Sequence, residues 1–319
     1  MPSGEISMDS HAPQHSPRYM ELATFMRTPW QADPAGLQVA LAGVPYDGGV
    51  TCRPGARHGP REIRNQSTLV RGIHHVHRIN PFERLNVADV GDVRFSRIFD
   101  HEAVLADIEA FFARIHAAGA RPLTAGGDHS ITLPILRAIA RQQPVGLVHV
   151  DAHTDTWGEW NGSRFHHGAP FRCAVEEGLV DPRRAVQIGI RGGQMIDDGW
   201  RFSRDSGMRV IFIEEFTALG VPAVIAEARR VVGDGPVYVT FDVDGLDPAY
   251  TPGTGTPEVG GITTREAQQL LQGLMGIQVM GADVVEVSPP FDPSGNTALV
   301  GATMMYELLC LMAGEGAPR

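Results

Sequence analysis

VGLVHVDAHTD, residues 145–155, opens as an almost unbroken apolar run and closes on Asp151, His153 and Asp155. A run of that length, apolar at successive positions rather than alternate ones, reads as a strand buried on both faces, as in parallel sheets covered by helices. Seven further runs share the pattern, all but 208–216 ending in Gly, Asp, His or Pro: 37–45, 84–92, 121–129, 185–192, 208–216, 237–244 and 281–290. Helical segments lie between many of them. In 100–119 the residues Val104, Ile108, Phe111 and Ile115 fall on one face, with Asp100 as N-cap and Gly119 as stop; 222–233 and 265–276 behave similarly. Strand–helix alternation without a linker predicts one doubly wound α/β domain over 36–319 with a mostly parallel sheet. Residues 1–35, polar and punctuated by proline, read as an N-terminal arm.

Composition narrows the function classes. The formal charge is −10, from 27 basic and 37 acidic residues, which argues against a nucleic-acid or anionic-membrane binder, since both need a cationic surface. The first twenty residues lack the basic start and apolar run of a signal peptide, and no stretch reads as a membrane span. Three widely spaced cysteines, Cys52, Cys173 and Cys310, fit a reducing compartment and small apolar packing roles better than a disulfide framework. The expectation is a cytoplasmic protein.

The chemistry gathers where such sheets place it, beyond the carboxyl ends of the strands. Three runs deliver His129, then Asp151, His153 and Asp155, then Asp242 and Asp244. Residues two apart on an extended strand point the same way, so Asp151 and His153 share a face, as do Asp242 and Asp244. Acids packed this closely are costly unless a cation neutralises them. Six nitrogen and oxygen ligands exceed what one tetrahedral zinc needs and suit two divalent ions with bridging carboxylates. Without thiolate the set favours Mn²⁺, with Ni²⁺, Co²⁺ and Zn²⁺ as alternatives. Two such ions can polarise a shared water into hydroxide near neutral pH.

GGDHS (126–130), DAHTD (151–155), HHG (166–168), FDVDGLDP (241–248), GTGTPEVGG (253–261) and EVSPP (286–290) together resemble the ureohydrolase superfamily of arginases and agmatinases over about residues 37–312. The resemblance implies a three-layer αβα arginase-type fold with a central eight-stranded parallel sheet. It implies one metal held by His129, Asp151, Asp155 and Asp242 and a second by Asp151, His153, Asp242 and Asp244. It also implies hydrolysis of a guanidine to urea and an amine, Glu286 as the seat of the guanidinium and His167 as the carrier of protons to the departing amine, with the ligand Asp155 joining them in catalysis. The guanidinium stays protonated to a pKa of roughly 12.5–13.8 and its carbon is a poor electrophile. A strong nucleophile and a carboxylate clamp are therefore both required. Family members are commonly trimers or hexamers.

Within that superfamily the phrases 174–192 and 253–261 and the C-terminal segment from Glu286 resemble the agmatinase and guanidino-acid branch, so the substrate class is agmatine, 4-guanidinobutyrate, 3-guanidinopropionate or a related alkylguanidine. An amine tail calls for Glu159, Asp197 or Asp198, and a carboxylate tail for Arg164 or another cation; Trp157, Trp160 and Trp200 could wall off an apolar tail. His166 is read as a loop-orienting residue, the His74, His75 and His77 cluster as solvated or interfacial, and 48–64 as a structural loop at the site rim. Two rival readings are a non-catalytic assembly subunit of this fold and a deacetylase-like amide hydrolase using one zinc and a tyrosine.

Overall fold

The computed structural model describes residues 16–315. Eight strands form one sheet: β1 (Val39–Val44), β2 (Val87–Asp92), β3 (Arg121–Gly126), β4 (Val145–Val150), β5 (Val180–Ile190), β6 (Arg209–Phe212), β7 (Val237–Asp242) and β8 (Val279–Val285). Their order is β2-β1-β3-β8-β7-β4-β5-β6, and every neighbouring pair is parallel. Each expected run supplies one strand. β5 begins five residues earlier than expected, at Val180, taking in a polar segment that the apolar pattern alone does not mark. β6 stops at Phe212 because Ile213 starts a helix, Ile213–Leu219.

Two apolar layers cover the sheet. One joins it to the helices Val221–Val232, Thr264–Gly273 and Asn296–Ala313, and the other to His101–Ala117, Thr132–Ile139 and Pro170–Glu176. In His101–Ala117 the Asp100 carboxylate accepts from Ala103 N at 3.1 Å, capping the first turn, and Gly119 ends it at φ +79°. The buried stripe is Val104, Ile108, Phe112 and Ile115; Phe112, four residues after Ile108, replaces the expected Phe111, which is only half-buried. The helix Asn296–Ala313 is, by length and composition, apolar enough to cross a membrane, contrary to the reading of the sequence, but it is mostly buried in the first layer.

Residues of the N-terminal segment pack on this body. Phe25 is fully buried, its amide donates to Asp89 Oδ2 at 2.9 Å, and the Arg64 guanidinium lies 4.1 Å above its ring. Arg64 also pairs with Asp89 and Asp92, its Nε reaching Asp89 Oδ2 at 2.8 Å.

The consequence for function is topological. β3, β8, β7 and β4 are adjacent at the centre of the sheet, and their carboxyl ends carry His129, Glu286, Asp242 and Asp151.

Candidate active site

The residues past those four strand ends converge. His129, Asp151, Asp242, Asp244 and Glu286 are almost completely buried, and Asp155 and His167 nearly so. Nδ1 of His129 faces Asp155 Oδ2 at 2.9 Å, Asp151 Oδ2 at 3.1 Å and Asp242 Oδ2 at 3.3 Å. Nδ1 of His153 faces Asp244 Oδ2 at 3.1 Å and Asp151 Oδ1 at 3.4 Å. Asp151 is thus common to two ligand groups.

Hydrogen bonding fixes which way His129 presents its lone pair. Thr240 Oγ1 donates to Asp283 Oδ1, and the same carboxylate accepts from Tyr238 and Thr132. Thr240 therefore accepts from His129 Nε2–H at 2.8 Å. Nδ1 is left as a lone pair, buried without a hydrogen-bond partner, opposite three carboxylate oxygens. Lone pairs so arranged repel unless a cation, proton or metal ion, lies among them.

The carboxylates tell the same story. Burial, with the nearby Asp244 and Asp151, pushes the Asp242 carboxyl well above its ordinary range. Burial likewise raises Asp244 to about 6. Asp151, despite its burial, is held well below the ordinary value by His149 and His129. The cage cannot keep all its acids ionised by itself, so divalent cations fit it.

A second tier holds these ligands in place. Gln187 Nε2 donates to Thr154 O at 2.6 Å and to His149 Nδ1 at 3.1 Å, so His149 Nε2–H donates to Asp151 Oδ2 at 2.7 Å. His149 thereby braces a ligand from behind. Its position two residues before Asp151, on the same strand face, is the signal that could have revealed it. Arg191 gathers the carbonyls of Asp244, Gly245, Leu246 and Glu258 and fixes the loop after β7. The Glu258 carboxylate sits 3.6 Å from His153 Nε2.

Glu286 and His167 form a pair beside the cage. Glu286 Oε1 accepts from His129 N and from His167 Nδ1, both at 2.9 Å. Its other oxygen, Oε2, is buried without a partner. Glu286 and Asp155 both hold left-handed backbone, at φ +64° and +50°, a strained conformation that concentrates at functional sites. At His167 the Nε2 atom meets Thr51 twice, the amide at 3.1 Å and the hydroxyl at 2.7 Å. Burial lowers the affinity of this ring for a proton, but Glu286, Asp128 and Asp155 outweigh it and raise the pKa to about 9. The Thr51 amide prefers a lone pair at Nε2 and the acids prefer a proton there. Such opposed pulls suit a group that exchanges a proton at that atom.

Thr51 lies in the 48–64 segment, which does more than shape the rim. Gly49 N donates to Asp128 Oδ2 at 2.7 Å and Gly49 O accepts from His167 N at 2.9 Å. A cavity of about 440 Å³ opens over the ligands, lined among others by Thr51, Arg53, Asp155, Trp157, His167 and Glu258. Trp157 joins it to a smaller recess that Glu159, Trp160 and Asp198 help to line.

The remaining candidates fall elsewhere. Glu159 lines that recess and not the cavity over the acidic cage. Arg164 pairs with Glu176, Asp197 with Arg204, and Asp198 with Arg172 at 2.7 Å. Trp200 packs edge-on against Phe212. His166 orients its loop by bonding Gly158 O at 3.0 Å between Trp157 and Trp160. The cluster read as solvated or interfacial is corrected at His74, which is buried, bonds Glu307 Oε2 at 2.9 Å and stacks on His75, His77 and Tyr306. Its partner lies 233 residues away in sequence, beyond any local pattern.

Comparison with known proteins agrees with this geometry. Residues 37–311 match the model of the arginase family. The chain is 59% identical to a guanidinopropionase of Pseudomonas aeruginosa, over 94% of this chain and 95% of that protein. It is 47% identical to a mitochondrial agmatinase of Gallus gallus, over 93% and 87%. The solved structure of proclavaminate amidino hydrolase from Streptomyces clavuligerus superposes with a TM-score of 0.90 at 42% identity, covering 93% of this chain and 99% of that one.

Proposed function

From the premise that this chain belongs to the arginase family, we propose that the cage described above is the binuclear centre of an amidinohydrolase. The protein is a metal-dependent hydrolase of C–N bonds that acts on linear guanidino compounds, releasing urea and an amine. His129, Asp151, Asp155 and Asp242 would hold one ion and Asp151, His153, Asp242 and Asp244 the other. Mn²⁺ is the metal we favour, with Ni²⁺, Co²⁺ or Zn²⁺ as alternatives, because the donors are imidazole and carboxylate without thiolate. Two divalent ions there supply Lewis acidity and a water activated near neutral pH.

The chain's own residues do the rest. Glu286 Oε2, the buried oxygen without a partner, seats the guanidinium, and Oε1 stays tied to His129 N and His167. Gly255 keeps the approach open, since a Cβ there would stand 3.7 Å from Oε2. Asp155, on the cavity wall, orients the attacking water. His167 releases its Nε2 proton to the departing amine and recovers one from the next water to enter the site, with Nδ1–H anchored on Glu286 throughout. Trp157 flanks the tail.

The observation that carries this reading is the His129 Nδ1 atom, buried without a hydrogen-bond partner and facing three carboxylate oxygens. A single-zinc deacetylase uses a tyrosine at the carbonyl, and no tyrosine is among the described residues lining this cavity. We also favour a cytoplasmic homo-oligomer, trimer or hexamer, supported by large apolar side chains exposed on the chain surface, such as Tyr19, Leu22 and Ile73. The test of the function is urea release from agmatine, 4-guanidinobutyrate, 3-guanidinopropionate and small alkylguanidines by Mn²⁺-loaded protein. Release from at least one supports it, and release from none with both metals bound refutes it.

A further inference from the structure

A relative named for an acid-tailed guanidine is 59% identical to this chain and one named for an amine-tailed guanidine is 47% identical; the cavity gives an independent reading of the tail. Acidic side chains dominate its wall: Asp155, Asp242, Asp244 and Glu258. Three of these belong to the cage. Glu258, the fourth, faces His153 Nε2, the usual station of a carboxylate that fixes a ligating imidazole. None is left free for an ammonium tail. Of the acids outside the cage named for an amine tail, Asp197 is neutralised by Arg204 and Asp198 by Arg172, and Glu159 lines only the adjoining recess and not this cavity.

One arginine stands in that wall, near His167. Arg53 donates through Nε to Gly255 O at 3.2 Å and through Nη2 to Thr254 O at 2.6 Å, and its guanidinium lies 4.4 Å above the Phe291 ring. Nη1 is uncommitted, and among the described residues no carboxylate lies within ion-pair distance of Arg53. An arginine without an acid partner in a cavity walled by acids is held there by backbone carbonyls and an aromatic face. Its orientation is thus settled before any ligand arrives.

Its location matches a tail site. Arg53 follows Thr51, whose hydroxyl touches the proton carrier His167, by two residues. It grips Gly255, the residue whose missing side chain opens the way to Glu286 Oε2. The guanidinium seat and this cation therefore both lie beside one glycine.

We propose that Arg53 binds the carboxylate at the far end of the substrate and so makes this protein a hydrolase of guanidino acids. The inference rests on the amidinohydrolase reading above and adds the chemical class of the tail. Arg164, the cation singled out in the sequence for such a tail, is committed to Glu176.

The experiment compares kcat/KM for 4-guanidinobutyrate, butylguanidine and agmatine in wild type, R53Q and R53E, with bound metal and circular dichroism measured on each. Wild type should prefer 4-guanidinobutyrate over both others by at least tenfold. R53Q should lose about 10–100-fold on the acid, chiefly through KM, and less than threefold on butylguanidine. R53E should shift the agmatine-to-acid ratio at least a further tenfold toward agmatine. An equal loss on acid and butylguanidine, or a wild type that uses agmatine as well as the acid, overturns the assignment of Arg53. If the variants do not fold, the wild-type preference alone decides. Absence of urea from all three substrates with both metals bound would instead refute the amidinohydrolase reading.

Discussion

His167 Nδ1 lies 2.9 Å from Glu286 Oε1, and the second oxygen of that carboxylate is buried with nothing to accept from. One side chain thus positions the imidazole proposed to carry protons and keeps an unpartnered carboxylate oxygen beside the cage. The E286Q substitution retains the shape and removes the charge. We expect kcat/KM to fall on the order of 10²–10³-fold while two ions stay bound, because Glu286 contacts the ligand His129 only at its backbone amide. Steady-state urea assays with metal analysis on the same sample check this; loss of metal together with activity would contradict it.

The same pair should set the alkaline limit of activity. Burial disfavours the charged ring of His167, but Glu286, Asp128 and Asp155 prevail and lift its pKa from 6.5 to about 9. A group that must donate a proton works below its pKa, so kcat/KM should hold up to about pH 9 and decline above it. The guanidinium, which stays charged to roughly pH 12.5 or beyond, does not cause that limb. In H167Q the rate should drop about 10²–10⁴-fold and the limb near 9 should vanish. By linkage, a raised histidine pKa stabilises the fold below 6.5, and that contribution is lost as pH rises through about 9.

Thr240 and Asp283 determine how His129 offers its lone pair. Replacing Thr240 by Val removes the acceptor for Nε2–H and frees the ring to rotate. Metal affinity should weaken about 10–100-fold with the fold retained, read by competition with a chelating indicator. Unchanged affinity would show that packing alone orients the imidazole.

Arg64 anchors the N-terminal segment. It is the cation paired with the fully buried Asp89, which also accepts from Phe25 N. R64M leaves that carboxylate buried without its countercharge, so unfolding free energy should fall by about 3–5 kcal/mol. Urea denaturation monitored by circular dichroism measures this, and a change below 1 kcal/mol would contradict it.

How much of this was legible in the sequence varies with the reach of each contact. The strands were readable because each carries an apolar run, β5 only in its second half, and the cage because its acids and histidines leave adjacent strand ends in short, dense motifs. His149 and Asp283 lie on those same strands, but their roles depend on partners in neighbouring strands, Gln187 and Thr240. Thr51 and Arg53 were not readable as site residues. Their loop meets His167 across 116 residues and Gly255 across 202, and only the folded chain brings a rim segment onto the proton carrier. His74 was misread for the same reason: three histidines in a polar stretch look solvated until Glu307 arrives from the last helix.

In the function proposed here, the buried cage binds two ions and with them hydrolyses a guanidine. The most direct test counts metal and urea in one sample of Mn²⁺-reconstituted protein supplied with 4-guanidinobutyrate, beside D242A. The account predicts two ions per chain and steady urea release in wild type, and loss of both in D242A. One ion per chain, or two ions with no urea from this or any of the other guanidino substrates, would contradict it.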